Sequence, residues 1–66
     1  MKSYTPKEMM AILIAHGFER VRIKGSHYVY VNRATGKRTV VPVHGKDLKK
    51  GTLHGILKQA GIELKD

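Results

Sequence analysis

A chain of 66 residues is expected to form one domain over positions 1–66, burying only about 60% of its unfolded surface and resting on a small core. It has no cysteine, which excludes disulfides and thiolate metal sites and fits a reducing compartment. Thirteen Lys and Arg against five Asp and Glu give a net charge of +8, and between Arg20 and Lys58 ten basic residues accompany one acid, Asp47. Such a field attracts polyanions: nucleic acid first, an anionic membrane or an acidic protein next.

Thr5-Pro6-Lys7-Glu8 is a capping box with proline at the first helical position, so a helix is expected to start there. Met9, Ile12, Leu13 and His16 recur at helical spacing, and Gly17 and Phe18 supply the end signal. The apolar run Met9–Ala15 is seven residues long, far short of the ~20 that span a bilayer. Lys2 and Lys7 precede it, but Glu8 adjoins it, so a signal sequence is not expected. The chain is expected to be cytoplasmic, with no membrane partner.

From Phe18 the pattern alternates. Arg20, Arg22 and Lys24 share one parity, Val21 and Ile23 the other, as in a half-buried strand. Gly25-Ser26 fits a type II′ hairpin turn and would set Lys24 opposite His27. A second strand, His27–Asn32, presents two credible core sets, Tyr28/Tyr30 and Val29/Val31. Arg33–Gly36 reads as a turn and Arg38 to Val43 as a third strand, with Pro42 marking an edge or a bulge. His44–Lys50 is a basic loop. A last helix carries Leu53, Ile56, Leu57 and Ala60 on one stripe and ends at Gly61, with Ile62 beyond the cap. Gly55 inside it points to close packing on the sheet. The order helix, three antiparallel strands, helix predicts a two-layer α+β fold with both helices on one sheet face. The other face is left for a polar, basic site.

The motifs exclude several chemistries. The four histidines lie on separate elements without metal-ligand spacing, so neither a metal nor another cofactor is expected. Ser3 and Ser26 lack a His–carboxylate partner set, and five scattered acids do not form a catalytic pair. Histidine acid–base chemistry in a basic field remains, which suits RNA cleavage by the substrate's own 2′-OH. His27 is the leading candidate, with Arg20, Arg22 and Lys24 as neighbours on the paired strand; the alternative is a simple turn histidine. His44 either contacts phosphate or caps its loop. His54 and His16 read as a solvated face and a helix-end residue. Lys46, Lys49 and Lys50 either cradle phosphate ahead of the last helix or serve solubility.

Four segments, in this order and spacing, carry a resemblance: His16-Gly17-Phe18, Gly25-Ser26-His27, Val41-Pro42-Val43-His44, and Leu48 to Leu53 leading into Ile56–Ile62. From Lys7 to Ile62 the chain resembles the HicA (YcfA-like) mRNA interferase toxins. The resemblance implies an α-β-β-β-α fold like that of double-stranded RNA-binding domains. It implies translation-independent endoribonuclease cleavage of mRNA, with His27 as the catalytic residue, and the absence of metal-ligand spacing makes that cleavage expected to be metal-independent. It also implies a cognate HicB antitoxin that binds the toxin and blocks its site. The expected RNA contacts are Arg22, Lys24, Lys46, Lys49 and Lys50, and the RNA is single- or double-stranded. Two other functions fit the residues: a non-catalytic binder of structured RNA, and a module whose basic face docks an acidic protein.

Overall fold

The structure, a computed structural model, describes residues 3–64; Lys2 and the outermost ends of the expected domain lie outside them. The order is α1 (Pro6–Ala15), β1 (Glu19–Lys24), β2 (His27–Asn32), β3 (Lys37–Pro42) and α2 (Lys50–Ala60), with a sheet in the order β1-β2-β3. Both strand pairs are antiparallel. This is the two-layer α+β arrangement expected from the residue pattern.

Local chemistry sets each boundary. The Thr5 N–H donates to Glu8 Oε1 at 2.9 Å and the Glu8 N–H to Thr5 Oγ1 at 3.1 Å, closing the capping box. Both helices end alike. Gly17 (φ 88) and Gly61 (φ 70) take the left-handed conformation, and the following Phe18 and Ile62 donate their N–H groups to Leu13 O and Leu57 O. Phe18 and Ile62 are buried, so each cap also folds an apolar side chain back into the core.

The two credible core sets on β2 now resolve. Tyr28 faces Val41 and Tyr30 faces Thr39 across the β2–β3 ladder, and this parity is buried. Met9 and Leu13 of α1 and Leu53, Ile56 and Leu57 of α2 close over it. Each such side chain contributes about 1.5–3 kcal/mol when fully withdrawn from water. Thr39 Oγ1 donates to Gln59 Oε1 at 2.8 Å, tying β3 to α2, and Asn32 Nδ2 donates to His16 O at 3.1 Å, tying β2 to α1. Both helices therefore lie on the tyrosine face.

Four expectations need correction. All six residues of β1 are exposed, including Val21 and Ile23. β1 is an edge strand, and the helices pack chiefly on β3 and leave it uncovered. A bulge between Arg20 and Arg22 also breaks the alternation. β3 runs Lys37–Pro42 rather than Arg38–Val43, and Lys50 opens α2 instead of closing the loop. A Cβ on Gly55 would meet nothing within 4 Å, so close packing does not require that glycine.

Candidate active site

At one end of the sheet three strands meet. His27 opens β2, directly opposite Lys24 on β1 and Pro42 on β3. The turn between Lys24 and His27 has positive φ at Gly25 (59°) and at no non-glycine residue, the pattern of a type II′ turn. That geometry delivers His27 to the first ladder position, on the face the helices do not cover, where it is exposed.

The register assigns the rest of this open face. Arg22 pairs with Val29 and Lys24 with His27 on one side; Arg38 pairs with Val31 and Val40 with Val29 on the other. The open face is thus a valine strip flanked by Arg22, Lys24 and Arg38, with His27 at its end. Arg20 does not belong to it. The bulge moves Arg20 to the helix face, opposite Tyr30, where its guanidinium lies 5.7 Å from the Tyr28 ring centre. Arg38 was missed because its parity means nothing until the buried face of β3 is known. The acid on this face, Glu19, pairs with Val31 at the far end and is bound by Arg33.

Beyond β3 the chain stays beside the hairpin. The Val43 N–H donates to Ser26 O at 2.6 Å, and His44 follows at once. Gly45 (φ 74) then turns the chain, and buried Leu48 anchors it through its N–H to Tyr4 O at 2.8 Å. Pro42, His44, Gly45, Asp47, Leu48, Lys49 and Thr52 line a hollow of about 430 Å³ at the start of α2. On the other side of His44 and Gly45 a shallower hollow of about 360 Å³ reaches Thr5, Lys7 and Lys46. No side chain caps the first turn of α2 and no acid lies in it, so its amides present positive dipole to a hollow that Asp47 also lines.

The predicted cations therefore separate. Arg22 and Lys24 share the open face with His27; Lys49 lines the hollow at α2; Lys46 lies in the shallower one; Lys50 is the exposed first residue of α2. His16 caps the opposite end of the molecule, its Nδ1 2.8 Å from Ile12 O. Among the described residues no three His, Cys, Asp or Glu side chains converge as a metal site requires. No helix among them is long and apolar enough to cross a membrane.

A family model described as the HicA toxin of bacterial toxin–antitoxin systems matches residues 6–62, which include Arg22, Lys24, His27, Arg38 and His44. The chain belongs to the HicA toxin family. As a HicA toxin it is one half of a toxin–antitoxin pair, and its partner is an antitoxin. Comparison with curated proteins gave no match.

Proposed function

We propose that this HicA toxin is a cytoplasmic, metal-independent endoribonuclease that cleaves mRNA without the ribosome and is held inactive by a HicB-type antitoxin. The observation that carries the reading is the position of His27: an exposed histidine whose backbone is set by a two-residue turn, with Lys24 as its cross-strand partner and Arg22 and Arg38 on the same open face.

In this mechanism the phosphodiester lies across the end of the sheet. His27 takes the proton from the ribose 2′-OH as that oxygen attacks the adjacent phosphorus. The bond from phosphorus to the 5′-oxygen breaks, that oxygen gains a proton, and the products are a 2′,3′-cyclic phosphate and a 5′-hydroxyl. Lys24 and Arg22 are cations that offset charge growing on the phosphoryl oxygens, and Lys46, Lys49 and Lys50 hold flanking phosphates near the α2 N-terminus. No cofactor enters, and the toxin works as one domain over residues 1–66. A HicB antitoxin blocks the reaction by covering the open face.

Purified wild type and His27→Ala, incubated with RNA in EDTA, test the reading. Loss of one positioned acid–base group lowers the rate by about 10²–10⁴-fold. A His27→Ala protein that still cuts within threefold of wild type removes His27 from the chemistry. Binding without turnover by the wild type leaves a structured-RNA binder instead.

A further inference from the structure

We propose that His44 is the second catalytic group, the acid that protonates the leaving 5′-oxygen; this rests on the ribonuclease reading above. Cleavage by 2′-OH attack moves two protons at two places. One leaves the nucleophile and one reaches the leaving oxygen, and these oxygens stand on opposite sides of the phosphorus. Each proton-transfer group must come within about 2.6–3.2 Å of its own oxygen. A single imidazole on one side of the phosphate serves one of them well and the other poorly.

The fold brings a second imidazole next to the same hairpin. His27 and Pro42 are direct cross-strand partners, and the Val43 N–H to Ser26 O bond carries the ladder one step further. His44 therefore lies two residues beyond the cross-strand partner of His27, and in a regular ladder such diagonal neighbours lie roughly 7–8 Å apart. That is too far for the two rings to compete for one oxygen and close enough to flank one phosphate. Val43 packs against the core, and exposed His44 follows it, lining one hollow together with Pro42, the cross-strand partner of His27. His44 also borders the 430 Å³ hollow that runs to the uncapped first turn of α2, a path for the departing strand. The other two imidazoles are elsewhere: His16 at the far end of α1, His54 on the exposed side of α2. The charged groups around the pair are Lys24 from β1, Lys7 from α1, Lys46 and Asp47 from the loop, and Lys49 at the start of α2.

A substrate whose leaving group needs no proton separates the roles. In a 5′-bridging phosphorothiolate RNA, sulfur replaces the 5′-oxygen and departs as a stable thiolate. His44→Ala is expected to slow cleavage of the all-oxygen RNA by about 10²-fold or more, yet to cut the phosphorothiolate within threefold of wild type. His27→Ala is expected to be slow on both. His44→Gln should behave as His44→Ala, and thermal melts of both should match wild type. Equal deficits for His44→Ala on the two substrates would overturn the proposal and make His44 a binding or structural residue. So would a normal rate on the all-oxygen RNA. If wild type cleaves neither substrate, the ribonuclease reading itself fails, and this inference with it.

Discussion

The Asn32 side chain bonds three backbone groups at once: it donates to His16 O and accepts from the N–H groups of Ala34 and Thr35 at 3.0 and 3.2 Å. One buried amide thus closes the β2–β3 turn and clamps the end of α1. Gly17 leaves room for it, since a Cβ there would stand 3.3 Å from Asn32 Nδ2. Asn32→Ala is expected to cost about 2–3 kcal/mol, from several lost hydrogen bonds of roughly 0.5–1.5 kcal/mol each, read by urea unfolding with an unchanged slope. Nothing in the sequence marks Asn32 as more than the last residue of a strand, because two of its side-chain partners are local and the third lies 16 positions away. Tyr30 makes a different prediction. Burial pushes its phenol above the usual value of 10.0, with Arg20 pulling it partly back and Tyr28 adding to the rise. Below that value the phenol is neutral in both folded and unfolded chains, and its contribution to stability is whole. As the pH climbs toward the folded value, the unfolded chain loses its proton first and stability falls. Urea unfolding from about pH 8 to 11 should show an alkaline decline that is smaller in Tyr30→Phe. Equal declines in the two proteins would remove Tyr30 as a source.

At the scale of elements, the parts governed by local chemistry were legible and the parts governed by neighbours were not. The capping box, the two glycine helix ends and the type II′ turn each depend on a few adjacent residues, and each forms as the residue types dictate. His27 could be placed for the same reason, since a two-residue turn fixes its partner as Lys24. The exposure of Val21 and Ile23 depends on which strands the helices cover, and the fate of Arg20 on a bulge, neither of which alternation reveals. The choice of Tyr28 and Tyr30 over Val29 and Val31 was likewise decided by packing against α1 and α2. Gly55 tests the same distinction. It sits inside α2 with open space where a side chain would go, so nothing beyond backbone freedom is at stake. Gly55→Ala should stabilise the fold by about 0.5–1 kcal/mol. Destabilisation on the urea curve would mean that α2 approaches a neighbour more closely than described.

Across the whole molecule, the sheet divides two kinds of work. Its helix face holds the tyrosines and the aliphatic core, and Arg20, moved to that side by the bulge, lies over Tyr28. Its open face holds the valines, Arg22, Lys24, Arg38 and His27, while the loop and the uncapped start of α2 add Lys46, Lys49 and Lys50 at the same end. A net charge of +8 on so small a body then acts as a directed field, which suits a phosphate chain laid over one end. The functional claim rests on the ribose hydroxyl as nucleophile and His27 as its base. The most direct test is an RNA with a single 2′-deoxy nucleotide on the 5′ side of a mapped cut, incubated with the wild-type toxin in EDTA, with the product ends identified. The expected result is that the ribose linkage is cut to a 2′,3′-cyclic phosphate and a 5′-hydroxyl while the deoxy linkage stays whole. Cleavage of the deoxy linkage at the same rate, or ends bearing a 5′-phosphate, would contradict it.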